Sequence, residues 1–309
     1  MILSITLNPS VDRTLFVDGL QPHDANRVLR CEIDAGGKGV NAARIIGELG
    51  VPVTATGFLA GGNGRYIADV LDSENIDEAF VWVPGQTRMN VSVEDGSGRP
   101  PTTFNERGPE IAGEQLEELN DLIQKHLCAC KFVTAGGSLP PGISAGVYAD
   151  FIGRSRDQGV PVCVDADGEA LKVALEARPF LVKPNADEAG RLLGDAPRSL
   201  RDAVDSAKRI RELGAEVAIV SMGAAGAALA AEGVALIADP PEIEAKSTIG
   251  AGDSMVGGFI AGLYRGYSVS DAFRLGAAAG AATASTDGSE TGRREVIDQL
   301  LPLVIIRTV

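Results

Sequence analysis

Thr248-Ile249-Gly250-Ala251-Gly252-Asp253-Ser254-Met255-Val256-Gly257-Gly258-Phe259 joins a glycine-rich turn to an Ala- and Gly-rich helix. The glycines leave successive backbone N–H groups free to point into one concavity, and the helix adds the positive end of its dipole. Such a turn is an anion hole suited to a phosphoryl group in transfer. Asp253, at the helix start, is placed to accept the proton of an attacking hydroxyl. The same residues also admit a plainer reading, in which Asp253 caps the helix and the glycines allow close packing.

Upstream of this turn, apolar runs alternate with helical stretches, the pattern of a parallel sheet covered by helices on both faces. The runs predict core strands at 3–7, 53–57, 132–135, 161–165, 180–183 and 217–221, and helices at 40–49, 64–74, 113–126, 145–158, 185–193 and 200–213. Several strands end in small or polar residues: Asn8 and Asp12, Gly136-Gly137-Ser138, Asp165, Lys183-Pro184-Asn185, and Ser221-Met222-Gly223. In an open α/β sheet the ligand lies beyond the carboxyl ends of the strands, so the chemistry is expected along that edge.

Two stretches break the rhythm. Residues 11–34 and 87–105 alternate apolar and polar as half-exposed antiparallel strands do, and Asp95-Gly96-Ser97-Gly98 is a hairpin-turn signal. Four strands are expected to form a small lid. Its apolar side chains Leu15, Val17, Val91 and Val93 need cover, which predicts a homodimer joined through the lids. Residues 293–309 are expected to form a terminal helix and an apolar tail packed on the body.

Composition narrows the function. The chain has 309 residues, 28 Lys and Arg against 42 Asp and Glu, and a net charge of −14. With no Lys/Arg-rich run, such a surface repels nucleic acid and anionic membranes alike. Residues 1–9 read as a first core strand, having neither the basic start nor the cleavage site of a signal peptide. The Ala-rich stretch 275–283 is far short of a bilayer span. Cys31, Cys128, Cys130 and Cys163 lack paired spacing beyond Cys128-x-Cys130 and read as reduced thiols, so a soluble, cytoplasmic protein is expected.

A second glycine loop opens a helix at Asp34-Ala35-Gly36-Gly37-Lys38-Gly39-Val40-Asn41-Ala42-Ala43-Arg44. It lacks P-loop spacing, yet offers a Lys and an Asn to a polyol or a phosphate. Gly36-Gly37-Lys38-Gly39-x-Asn41-x-Ala43 and Thr248-x-Gly250-Ala251-Gly252-Asp253-Ser254 resemble the two signatures of the PfkB-type sugar kinases of the ribokinase-like superfamily. The resemblance covers essentially the whole chain. A narrower likeness, to the branch that phosphorylates sugar phosphates, rests on four motifs. These are Thr6-Leu7-Asn8-Pro9-Ser10-Val11-Asp12, Thr87-Arg88-x-Asn90-Val91, Gly137-Ser138-Leu139-Pro140-Pro141-Gly142 and Val182-Lys183-Pro184-Asn185-x-x-Glu188.

The resemblance implies a three-layer α/β/α, mostly parallel sheet with a small antiparallel β lid, in one kinase domain over 1–309. It implies that Asp253 is the base and that Gly250, Ala251 and Gly252 hold the transferring phosphoryl. Asp12, Gly37 and Asn41 would bind sugar hydroxyls. Lys38, Arg88 and Arg27 would meet the substrate's phosphate, with Asn90, Asn105 and Ser138 beside them. ATP would lie along Lys183, Asn185, Glu188, Ser221, Gly223, Gly226, Thr248, Gly250 and Gly252, with its adenine near 245–248 and 277–284. Asn185 and Glu188 would organise water around Mg²⁺.

Within the branch, Asn105-Glu106-x-Gly108-Pro109 and Thr87-Arg88-Met89-Asn90-Val91 resemble the 1-phosphofructokinases more than the minor-type 6-phosphofructokinases or the tagatose-6-phosphate kinases. This implies phosphorylation of D-fructose 1-phosphate at its 6-hydroxyl. The other two sugar phosphates stay as alternatives, and a catalytically silent sugar-phosphate-binding regulator is the alternative of another class.

Overall fold

The computed structural model describes residues 1–97, 101–288 and 290–309. In its first half the elements are β1 (Ile2–Thr6), β2 (Ser10–Val17), β3 (Val28–Gly36), α1 (Lys38–Glu48), β4 (Val53–Leu59), α2 (Gly61–Ser73), β5 (Asp77–Trp82), β6 (Arg88–Glu94), β7 (Thr102–Asn105), α3 (Gly113–Leu127), β8 (Phe132–Gly136) and α4 (Val147–Arg156). There follow β9 (Val162–Asp165), α5 (Gly168–Glu176), β10 (Leu181–Val182), α6 (Ala186–Leu193), α7 (Leu200–Glu212), β11 (Val217–Ser221), β12 (Ala227–Ala231), β13 (Val234–Asp239), α8 (Ala251–Tyr264), α9 (Val269–Ala284), α10 (Arg294–Leu300) and β14 (Ile305–Thr308).

The main sheet runs β14-β13-β12-β11-β10-β9-β8-β1-β4-β5, parallel from β11 to β5 and antiparallel at the β12, β13 and β14 end. Alternating side chains send one set of buried residues under α1, α2, α8, α9 and α10, and another under α3 to α7. This is the expected three-layer α/β/α arrangement. The chain leaves β1 for β4 and β5 on one side and for β8 to β11 on the other, so the sheet's switch point lies at β1.

Small residues bring α1 close to that point. Ser4 Oγ donates to the Gly39 carbonyl at 2.7 Å, and a side chain on Gly39 would come within 2.6 Å of the Ile5 carbonyl oxygen. The glycine loop therefore rests directly on the end of β1.

The lid is a four-stranded sheet in the order β3-β2-β6-β7. Its outer ladders, β2 with β3 and β6 with β7, are antiparallel, while the central β2–β6 ladder is parallel. The hairpin signal at 95–98 falls between β6 and β7, and Gly98 lies outside the described residues. The expected exposed apolar face is corrected. Val17 and Val93 are buried and Leu15 and Val91 half-buried, because they sit on inner strands flanked on both sides. The exposed apolar side chains belong to the outer strands: Leu29 at 71%, Phe104 at 60%, Val28 and Ile33. The C-terminal segment forms α10 and the edge strand β14.

Candidate active site

The turn before α8 takes the shape its glycines allow. Gly250, the N-cap, has φ 74°, which side-chain-bearing residues rarely adopt. The first helical bond runs from the Ser254 N–H to the Gly250 carbonyl at 2.9 Å, leaving the N–H groups of Ala251, Gly252 and Asp253 ahead of the hydrogen-bond ladder. A side chain on Gly252 would come 3.0 Å from Lys183 Nζ, so a buried ammonium stands beside these amides. Asp253 Oδ2 accepts from Asn41 Nδ2 at 2.8 Å, which ties α8 to α1 across 212 residues of chain.

Behind the turn lies a network of alternating charges. Asp165, at the end of β9, accepts from Lys38 Nζ at 2.6 Å through Oδ1, and its Oδ2 stands 3.3 Å from Lys183 Nζ. Lys38 Nζ also meets Glu188 Oε1 at 3.3 Å. Burial opposes ionisation of Asp165, but the Lys183 and Lys38 charges outweigh it and hold its pKa below the ordinary value. Burial likewise opposes a charge on Lys38, and the carboxylates of Asp165, Asp253 and Glu188 more than offset it. For Asp253, half-buried, burial and the Asp165 charge dominate and push the carboxyl up to about 7.

A second cluster gathers where β1 runs into the lid. Asp12 Oδ1 accepts from Ser10 Oγ at 2.7 Å and from Asn90 Nδ2 at 2.9 Å. A side chain on Gly36 would strike Asp12 Oδ2 at 2.1 Å. Arg88 donates to the Asn8 carbonyl at 3.1 Å, to Asn90 Oδ1 at 3.0 Å and to the Glu106 carbonyl at 3.4 Å. Burial lowers its pKa, opposed by Asp12 and Glu106. Asn90 pairs in register with Asn105, and Ser138 Oγ accepts from Asn8 Nδ2 at 3.1 Å.

Several expected groupings change. Lys38 joins the Lys183 side of the site, held by Asp165 and Glu188, rather than the Arg88 cluster. Asn41 spends its amide nitrogen on Asp253 and keeps a buried, unpartnered Oδ1. Arg27 lies in the exposed segment before β3, with no hydrogen bond or ion pair to the site among the described residues. Asn185 and Glu188 form a capping box on α6: Glu188 N–H donates to Asn185 Oδ1 at 2.9 Å and Asn185 N–H to Glu188 Oε2 at 2.8 Å.

Ser221 forms a bridge with Asn185, and the 223–225 turn ends at Gly226, whose Cα lies against the Ala238 carbonyl. Gly37 caps α1, and Thr248 is exposed beside Ser247, whose N–H and that of Lys246 donate to the Ala284 carbonyl at the end of α9. The sequence places Asn8 and Asp165 at the strand ends and Glu106 in the 105–109 motif but assigns none of the three a role. The signal for Asp165 was a lone acidic residue ending a buried strand.

Three comparisons bear on the site. The pfkB family carbohydrate kinase profile matches residues 3–295. The chain is 38% identical to the 1-phosphofructokinase of Bacillus subtilis over 98% of both chains, and 34% identical to that of Escherichia coli K12 over 92% of this chain and 91% of that one. Its fold is similar to that of phosphofructokinase-2 from Escherichia coli in complex with fructose-6-phosphate, with a TM-score of 0.86 and 28% identity over 98% of each chain. A carboxylate beside the unbonded first amides of a glycine-capped helix is thus joined to a match along nearly the whole chain, and the protein belongs to the pfkB family of carbohydrate kinases.

Proposed function

We propose that this protein transfers the γ-phosphoryl group of ATP to the 6-hydroxyl of D-fructose 1-phosphate, giving fructose 1,6-bisphosphate. The observation that carries the reaction type is Asp253, held by Asn41 beside the free amides of α8 and the Lys183 ammonium. The sugar follows from the relatives, several of which, named 1-phosphofructokinase, are 34–38% identical to the chain. Phosphofructokinase-2, with its bound 6-phosphate, keeps fructose 6-phosphate as a second reading at lower identity.

In this reading Asp253 takes the proton of the attacking hydroxyl while the amides of Ala251 and Gly252 and the Gly250 turn bind the phosphoryl in flight. Lys183 and Lys38 supply cations to the nucleotide phosphates. Asp165 keeps both lysines aimed when no phosphate is bound. Asp12 and the unpartnered Oδ1 of Asn41 accept hydrogen bonds from sugar hydroxyls, as carboxylate and amide oxygens do. Arg88 meets the substrate's own phosphate, with Asn90, Asn105 and Ser138 around it.

Mg²⁺ fits here as a hydrated ion carried by ATP rather than one caged by protein. Asp165 lies between the Lys38 and Lys183 ammonium groups, while Glu188 already serves the α6 cap and Lys38. Both carboxylates can hold it through water, and when bound it neutralises phosphate charge. The outer lid strands expose Leu29 and Phe104, which supports a homodimer formed through the lids. Cytoplasmic residence completes the proposal.

The test is a coupled assay with Mg-ATP comparing kcat/KM on fructose 1-phosphate, fructose 6-phosphate and tagatose 6-phosphate. A preference of about tenfold or more for fructose 1-phosphate, about 1.4 kcal/mol of transition-state discrimination, supports the proposal. A preference for a 6-phosphate keeps the mechanism and changes the sugar, and no turnover on any of them favours a sugar-phosphate-binding regulator.

A further inference from the structure

We propose that Asn8 is the positioning residue of the sugar-phosphate site, holding in one arrangement the three chain segments that would meet the sugar phosphate. The inference rests on the functional reading above and adds to it the residue that sets the fit. Asn8 lies where β1 ends and is 4% exposed. Its Nδ2 donates to the Arg107 carbonyl at 3.0 Å and to Ser138 Oγ at 3.1 Å, and its own carbonyl accepts from Arg88 Nε at 3.1 Å. These partners are 99, 130 and 80 residues away along the chain, so one side chain and one peptide join the lid, the segment after β7 and the loop after β8.

The geometry demands an amide. Pro9 restricts the preceding residue to extended backbone, which sets the aim of the Asn8 side chain. Both Nδ2 protons are used, whereas Oδ1 is buried without a partner. Gly108 closes over it, since a side chain there would stand 2.2 Å from Oδ1. A buried acceptor left unpaired costs stability, and such an expense points to a role other than packing.

Arg88 completes the clasp. It holds the Asn8 carbonyl and the Glu106 carbonyl, while Glu106 Oε2 accepts from the Met89 N–H at 2.9 Å. Releasing the 105–108 segment from the Asn8 side chain therefore loosens the Glu106 carbonyl, one of the three acceptors that aim Arg88, and leaves the Asn8 carbonyl and Asn90 in place. Asn8 itself need not touch the substrate. Among the described residues the clasp makes no hydrogen bond of its own to Lys183 or the α8 amides, and its link to that side is the backbone bond from the Gly137 N–H to the Asp165 carbonyl at 2.9 Å, so its loss falls mainly on the sugar-phosphate side.

The test uses the full-length enzyme with Asn8→Ala and the isosteric Asn8→Asp, which keeps the shape but replaces both N–H donors by an acceptor facing the Arg107 carbonyl. KM for fructose 1-phosphate rises about tenfold or more in both, KM for ATP stays within about twofold, and the preference over fructose 6-phosphate shrinks. Should Asn8→Ala fail to fold, Asn8→Asp alone decides. An unchanged KM for the sugar phosphate, with the damage confined to Tm or active fraction, overturns the proposal, as does an equal rise in both KM values. A wild type that neither turns over nor binds any sugar phosphate overturns the functional reading, and this proposal with it.

Discussion

Asp253 sits in a contest of charges whose outcome suits a base. Burial and Asp165 raise its pKa to about 7, and Lys38, the Asn41 hydrogen bond and Lys183 oppose them. A base titrating near the working pH combines availability with driving force. Asp253→Asn is expected to lower kcat about a hundredfold or more while leaving ATP affinity nearly unchanged, measured by steady-state kinetics and nucleotide titration. In the wild type, kcat/KM rises with pH through about 7 as the carboxyl deprotonates.

The same shift has a sign for stability. A carboxyl whose pKa is raised on folding binds more protons folded than unfolded, so stability falls as pH rises from 3.8 to about 7. Asp253→Asn removes that slope. Thermal melts should show it with a higher Tm than wild type at about pH 8 and a difference that shrinks toward about pH 4. A lower Tm at the higher pH would show that the carboxylate is not strained in its site.

At the level of elements, α6 shows how a signature residue can carry two roles. Asn185 and Glu188 read as a metal-water pair in sequence, yet their geometry is first a capping box. Glu188→Gln retains a capping-box side chain and deletes the charge beside Lys38. It is expected to keep Tm close to wild type while raising the Mg²⁺ concentration needed for half-maximal rate. Asn185→Ala instead costs about 1 kcal/mol of stability through the lost cap, read by denaturant unfolding. If Glu188→Gln lowers Tm and leaves the Mg²⁺ dependence alone, the residue is structural only.

Elements with a strong period were legible: β1, β4, β8, β9 and β11 are apolar runs, and α1, α3 and α7 carry clear apolar stripes. The Ala-rich β12 was not, because alanine favours neither a pleated surface nor a helical stripe there. The parallel β2–β6 ladder escaped because alternation reports a strand's faces and not its partner's direction. Residue types at the site were legible from the two glycine loops. The partnerships were not: Asn41 with Asp253 and Asp165 with Lys38 join residues 212 and 127 positions apart, and only the fold brings them together.

At the scale of the whole molecule, an acidic chain of net charge −14 sets Lys38 and Lys183 around Asp165 at one edge of the main sheet and Arg88 on the lid. The lid's outer strands leave Leu29 71% and Phe104 60% exposed. In a two-fold dimer each such side chain is buried twice, once per protomer. Burying a leucine contributes about 1.5–3 kcal/mol, so Leu29→Asp removes about 3 kcal/mol or more from the pair and weakens association about a hundredfold or more, with the buried charge adding to the loss. Sedimentation at micromolar concentration is expected to show a wild-type dimer and a Leu29→Asp monomer. Because the lid also carries Asp12, Arg88 and Asn90, the monomer should lose affinity for the sugar phosphate before it loses affinity for ATP. A monomeric wild type, or a variant that still dimerises, would place the cover of this face elsewhere.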